Sequence, residues 1–413
     1  MRVFQINAVP YGSTGRIMVQ IAQLLEQQGH EALCTTGFTW QKCTYSKHFL
    51  TSSLPEKTWH MVLARLTGLN GCFSVLATHR LLRRLDAFRP DIIHMHNLHG
   101  WFVNLPMLFR YIEKHRIPAV WTFHDCWPIT GHCPYFDAVG CDKWKTGCHS
   151  CSQHRNYPQC LLDDSRVMWL RKKKWFTLPK NLTVVTPSGW LAGLVRQSYL
   201  KDYPVKVIHN GIDSAVFCPV DSDFRKQYHC EDRFVLLGVA FDWDYRKGLD
   251  VFVELSKRLP QRFRIVLVGT NEELDKSLPE SIISIHRTAS VQELAQIYTA
   301  ADLFVTPTRE DNYPTVNMEA LACGTPVLTF RSGGSPEIPD ETCGIAVDTN
   351  DIDALEAEIL RIAQEMPYSR EACLNRAAAF DKNDRFLEYI ELYRQLSGRS
   401  DSQTQTTGCE QNT

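Results

Sequence analysis

Apolar and polar positions alternate in blocks along this chain. Val3–Ala8 is a short apolar run, and Gly12-Ser-Thr-Gly15 reads as a turn. Ile17, Ile21, Leu24 and Leu25 then recur at helical spacing as far as Gln27, and Gly29 ends the helix. Further buried strands are predicted at Asp91–His96, Ala119–Phe123 and Asn181–Thr186, where Pro187-Ser188 opens another helix. The series restarts near residue 206. Lys206–Asp213 reads as a strand running into a turn, Phe234–Ala240 and Phe263–Gly269 as core strands, and Leu303–Thr306 and Pro326–Thr329 as two more. Strands separated by helices imply parallel sheets covered on both faces. The pattern predicts an α/β protein with two doubly wound, Rossmann-like domains, residues 1–205 and 206–383, facing across a cleft. Ligands of such sheets bind at the carboxyl ends of the strands. Residues 384–396 read as a helix with Phe386, Leu387, Ile390 and Tyr393 on one face. Residues 397–413, rich in Ser, Thr, Gln and Gly, read as a disordered tail.

Composition narrows this picture. The chain has 413 residues, 44% hydrophobic and 22% charged, which excludes disorder over its bulk. No apolar run approaches the ~20 residues needed to span a bilayer, and the first apolar stretch is too short for a signal peptide. The expected location is therefore cytoplasmic. Fifteen cysteines, an odd number, argue against a disulfide framework and for reduced thiols or metal ligands. The net charge of -1 hides an asymmetry. Residues 1–205 hold 24 Lys and Arg against 12 Asp and Glu, and the remainder holds 21 against 34. A basic half suits an anionic partner, although two domains of opposite charge attracting each other fits the same count.

The segment richest in chemistry is Thr308–Gly324, T-R-E-D-N-Y-P-T-V-N-M-E-A-L-A-C-G. Three acidic residues surround an Asn-Tyr-Pro turn, and a helix follows. The amides of Thr315, Val316 and Asn317 would be free donors suited to phosphate. Asp311, just before the helix, can accept hydrogen bonds from sugar hydroxyls. Glu319, inside it, can hold a ribose diol. An N-cap aspartate and an ordinary helix glutamate would give the same spacing.

This run resembles the signature of the retaining glycosyltransferases of family 4, which have the GT-B fold. The family's Glu-x7-Glu is matched by Asp311-x7-Glu319, with the first carboxylate one methylene shorter. By resemblance, Asp311 contacts the donor sugar, Glu319 the ribose, and the Thr315 and Val316 amides the distal phosphate. Trp243-Asp-Tyr-Arg-Lys-Gly248 is similar to the family's diphosphate-binding loop. Lys247 supplies the cation and Gly248 permits close approach; Arg246 stands in for a family arginine whose position here is Asp242. Asn210–Asp213 and Ser332–Glu337 match later turns of the family. Gly12–Gly15 resembles its first glycine-rich loop, which puts Gly15 beside the donor. Thr122-Phe-His-Asp125 resembles a strand end whose histidine, here His124, contacts the donor sugar. His94, His96 and His99 crowd another strand end and read as cleft lining. The likeness spans roughly residues 1–396. It implies a nucleotide-sugar donor in the C-terminal domain and a saccharide or lipid-diphosphate-linked acceptor in the N-terminal one. It also implies front-face retaining transfer of a hexose in surface polysaccharide synthesis, no catalytic metal, and a C-terminal helix that crosses back onto the first domain. His124, Asp311 and Lys247 are the expected catalytic residues. A nucleotide-sugar epimerase on the same fold and a non-catalytic binding protein are the rival readings.

Residues 126–160 are an addition to that pattern. Cys126, Cys133, Cys141, Cys148, Cys151 and Cys160 fall there, with the core spacing C-x7-C-x6-C-x2-C from Cys133 to Cys151. Four thiolates with a C-x2-C knuckle can ligate zinc tetrahedrally. Free cysteines and two disulfides remain open alternatives. The flanking sequence is similar to a subgroup of capsule and exopolysaccharide transferases, and the segment would shape the acceptor side. Arg80, Arg83, Arg84, Arg89 and Arg171–Lys174 lie near apolar Trp59, Met61, Leu63, Leu66 and Phe73 in the sequence. Such a set can dock on anionic lipid at the inner face of the cell membrane, or be solvated helix faces. No groove-reading module is present, so nucleic acid is not an expected partner.

Overall fold

The computed structural model describes residues 1–398. The predicted tail lies outside them from residue 399 on. Two parallel sheets organise the chain. The first comprises β1 (Arg2–Asn7), β2 (Glu31–Thr36), β3 (His48–Leu50), β4 (Ile92–Met95), β5 (Ala119–Thr122), β6 (Leu182–Thr186) and β7 (Val205–Val207). Their order is β3-β2-β1-β4-β5-β6-β7. The second comprises β8 (Phe234–Val239), β9 (Phe263–Val268), β10 (Ile282–Ile285), β11 (Leu303–Thr306), β12 (Val327–Phe330) and β13 (Gly344–Val347), in the order β10-β9-β8-β11-β12-β13. Both sheets reverse direction next to their first strand, between β1 and β4 and between β8 and β11. Loops that leave neighbouring strand ends in opposite directions open a crevice there. The crevice loops are Ala8–Tyr11 and His96–His99 in the first half, Phe241–Gly248 and Pro307–Pro314 in the second.

The apolar runs mark these strands because a parallel strand is covered on both faces. All of β4, β5, β6, β11 and β12 is buried. Some elements differ from expectation. Gly12–Gly15 is no separate turn but the first turn of the helix Gly12–Gln27. Two glycines, poor helix formers, hid its start. Gly15 is buried there, and a Cβ on it would stand 2.4 Å from the Pro10 carbonyl carbon. Lys206–Asp213 is expected to open the second series, but the strand there is Val205–Val207, which pairs with β6 and so completes the first sheet.

The last helix, Lys382–Leu396, packs on the first half against Ile17, Met18 and Ile21. Phe386, Ile390 and Tyr393 are buried as expected, but Leu387 is 40% exposed and Tyr389 takes its place. Tyr393 Oη lies 2.7 Å from His94 Nδ1, and Thr122 Oγ1 lies 3.2 Å from Tyr389 Oη. The chain therefore passes between the halves twice. The passages are joined where the Ile212 amide donates to the Phe380 carbonyl and the Lys382 amide to the Ile212 carbonyl, each at 2.9 Å.

Candidate functional site

The helix Thr315–Ala322 starts at the carboxyl end of β11. Pro314 precedes it, and no side chain caps its first turn. The Asn317 amide turns back onto the Pro314 carbonyl at 3.2 Å, so the first-turn donors reduce to Thr315 and Val316. Glu319 is buried one turn further in and accepts from Tyr298 Oη at 3.1 Å. Burial raises its pKa, opposed by the Arg16 charge and by hydrogen bonds from Tyr298 and Thr315. Thr315 and Glu319 share a small cavity with Ser13, Arg16 and Gln20 of the first helix and Asp213 of the linker. Arg16 is a cation across the crevice that the motifs did not single out. Its position immediately after Gly15 was the available signal.

Asp311 and Lys247 meet in front of this helix. Lys247 Nζ lies 2.6 Å from Asp311 Oδ2, with both side chains about one-fifth exposed. Gly248 follows with φ +78°, and a Cβ there would stand 2.4 Å from the Pro307 carbonyl oxygen. Glycine thus lets the lysine loop press against the strand end that carries Asp311. Arg246 lies 5.3 Å from the Tyr135 ring centroid and donates to the Glu310 carbonyl at 3.2 Å. Arg309, also unpredicted, is buried. Its guanidinium grips Asp250 through two 2.8 Å contacts, sits 3.7 Å from the Tyr245 ring centroid and donates to Asn350 at 2.6 Å. It ties the lysine loop to the acidic segment.

Three contacts close the crevice. Glu310 Oε1 accepts from the Ala138 amide at 2.9 Å. Asn312 Oδ1 accepts from Ser188 Oγ at 2.7 Å. The Glu337 carboxylate accepts from the Gly189 and Trp190 amides, each at 2.8 Å, at the start of the helix Gly189–Gln197. Glu310, one residue out of register for the motif, therefore meets the cysteine-rich segment instead.

On the first half, His124 lies on a directed chain. Gln5 donates to the Met18 carbonyl, so its Oε1 faces His96 Nε2 at 3.2 Å. His96 must donate there, which leaves its Nδ1 to accept from His124 Nε2 at 3.1 Å. His124 Nδ1 remains an acceptor. Burial lowers His124 to about 4 despite the pull of Asp125, so the ring is neutral at physiological pH. His99 lies 2.8 Å from Asp125 and 2.9 Å from Tyr157 Oη. Burial raises the Asp125 pKa, but His99 and the Trp127 amide outweigh it and keep the carboxyl ionised. His94, His96 and His99 are occupied by hydrogen bonds, and the enclosure of His94 and His96 places those two beneath the crevice, not on its lining as expected. Gly15 packs on Val9 and Pro10.

Burial also lowers His60 to about 3 and His132 to about 4, and pushes His94 and His96 well down. With His124 that makes five histidines neutral when folded and protonated, below about pH 6.5, when unfolded. Unfolding then takes up protons between about pH 6.5 and 4, so stability falls as pH falls, by up to ~1.4 kcal/mol per pH unit for each histidine. A drop in Tm on the order of 10 °C is expected between pH 7 and pH 5.5. A Tm that is flat or higher at pH 5.5 would contradict the burial of these rings.

The cysteine-rich segment holds few regular elements, the four-residue helix Lys143–Thr146 among them. Among the described residues, no three His, Cys, Asp or Glu side chains are gathered at metal-ligating distances. Of the basic stretch, Arg80 pairs with Glu56 at 2.5 Å and Lys172 is wholly buried, so neither belongs to a free patch. Trp59, Val62 and Leu66 do face solvent. No helix among the described residues is long and apolar enough to cross a membrane.

Comparison with known proteins gives these features a context. Residues 14–216 match a model of glycosyltransferase family 4, and residues 231–365 match one of glycosyl transferases group 1. A protein of Escherichia coli (strain K12), named as a candidate colanic acid biosynthesis glycosyl transferase, WcaC, is 26% identical over 74% of this chain and 77% of its own. Sucrose-phosphate synthase from Thermosynechococcus elongatus superposes with a TM-score of 0.70 at 19% identity, covering 97% of this chain and all of that one. Anabaena HepE, solved in complex with UDP-glucose, superposes with a TM-score of 0.64 at 15% identity, covering 95% of this chain and all of that one.

Proposed function

The chain belongs to the GT-B glycosyltransferases, joining a family 4 domain to a group 1 domain, and from that membership we propose a retaining hexosyltransferase. It moves a sugar from a nucleotide-sugar donor to a saccharide acceptor, free or carried on a lipid diphosphate, in surface polysaccharide synthesis. The observation that carries this reading is the pairing of two charged devices on one helix. Lys247 and Asp311 stand at its mouth, 2.6 Å apart, and Glu319 lies a turn inside with Arg16 opposite. An anionic group at the mouth would meet the lysine and the Thr315 and Val316 amides. A diol would meet Glu319. That combination suits a nucleoside diphosphate. The binding of UDP-glucose by HepE on the same fold, and the relative named for colanic acid biosynthesis, support the donor class and the pathway class.

In this reading Lys247 leaves Asp311 for the diphosphate, which frees the carboxylate to hold a sugar hydroxyl. His124, neutral and with Nδ1 free to accept, takes another from across the crevice. The departing diphosphate accepts the acceptor's proton on the same face, so retention requires no covalent intermediate. Catalysis rests on positioning and on charge stabilisation of the leaving group.

The test is a thermal-shift panel of UDP-, GDP- and ADP-sugars with their diphosphates, on wild type and Glu319→Ala. One nucleotide class should raise Tm by several degrees, since ligand at 100 times Kd adds about 2.7 kcal/mol to the folded state. The shift should vanish in the variant. Folded protein that responds to no nucleotide would remove the donor reading.

A further inference from the structure

We propose that Cys133, Cys141, Cys148 and Cys151 form a structural zinc site that fixes the loop Pro134–Gly140 against the donor side of the crevice. All four side chains line one cavity, walled also by Phe136 and Trp144. Cys133 and Cys151 are neighbours in it. The Gly131 amide donates to Cys148 Sγ at 3.2 Å. The sulfurs do not yet converge on one point. Zinc would draw them to about 2.3 Å.

A second observation points the same way. Lys172 is wholly buried, and its ammonium has no carboxylate in hydrogen-bonding contact. It donates to the Trp127 carbonyl at 2.8 Å and the Thr130 carbonyl at 3.1 Å, and lies 3.5 Å from the Trp127 ring centroid. Cys148 and Cys133 are among the ionisable groups around it, as is Asp125, which His99 already engages. Burial pulls the Lys172 pKa down to about 7, so keeping the ammonium charged calls for an anion beside it. Four thiolates around a divalent ion carry a net charge of about −2 and supply it. Four thiols do not.

The ion would matter at a distance. Cys133 and Cys141 bracket the loop that carries Tyr135, under Arg246, and Ala138, whose amide Glu310 holds. With so little regular structure in the segment, the metal supplies part of what orders it. This inference stands whether or not the donor reading does, because its readouts involve neither donor nor activity.

The experiment is elemental analysis of the full chain purified without chelator. About one zinc per chain is expected, falling below about 0.1 in Cys148→Ser and Cys151→Ser and retained in Cys160→Ser. Cobalt exchanged into wild type should show the visible bands of a tetrahedral thiolate site, which decides the question if a cysteine variant fails to fold. Removing the metal should speed hydrogen exchange at residues 134–140. Less than about half an equivalent of zinc in folded wild type, or a mass showing disulfides among the four cysteines, would overturn the site. Unchanged exchange on metal removal would overturn its role in the loop.

Discussion

Lys247→Ala should lower kcat by about three orders of magnitude while leaving the chain folded. The ammonium is held in place beforehand, 2.6 Å from Asp311, by a loop whose Gly248 presses on the end of β11. A charge positioned in advance costs no reorganisation when negative charge builds on a leaving diphosphate. Removing one such donor typically costs ~10²–10³ in rate, and a full charge lies at the upper end. Asp311 then loses its counterion, but it is partly exposed and can be hydrated, so stability should change by less than about 1 kcal/mol. Steady-state turnover of the donor identified by thermal shift, with circular dichroism as the folding control, reads both effects. Lys247→Arg should recover only part of the rate, because a planar fork does not replace a point charge. A loss below tenfold would pass the charge-stabilising role to Arg246.

Arg309→Ala should act differently, through the frame of the same site. Arg309 is almost fully enclosed and holds Asp250, Tyr245 and Asn350 together. Breaking a buried pair by deleting one partner costs ~3–5 kcal/mol. Asp250 is nearly half exposed and can be rehydrated, which brings the expected loss to about 2–3 kcal/mol. The loop Asp244–Gly248 would also lose its tie to the segment Thr308–Asp311. Donor affinity should therefore fall along with Tm, whereas Lys247→Ala should leave Tm nearly unchanged. Calorimetry of the variant, with donor titration below its Tm, separates the two. A variant as stable as wild type would mean that the Arg309 cluster is dispensable.

These two residues mark how far the sequence could be read. Lys247 stands in a recognisable loop, and the strands around it are apolar runs covered on both faces. Arg309 stands inside the richest motif, yet its role depends on Asp250 and Asn350, 59 and 41 residues away. The contacts across the crevice, Glu310 with Ala138 and Asn312 with Ser188, join positions 172 and 124 residues apart. Local periodicity says nothing about such pairs. Lys172 is an instructive miss. It read as one of a run of surface cations, but Met168, Trp169, Trp175 and Phe176 stand three and four residues to either side of it, and all are buried. Helical spacing alone places that lysine on the inner face. The short strands β3 and β7 carry three residues each, too few for a pattern to register.

The double passage between the halves has a mechanical consequence. A single connecting strand would let the halves swivel about it. Two strands laced side by side at Ile212 and Phe380–Lys382 resist twisting and leave bending as the easy motion. Opening by that bend would be that of a book with its spine at these residues. Glu310, Asn312 and Glu337 act as clasps on the pages. Ligands of the cleft would then enter and leave by the fore-edge.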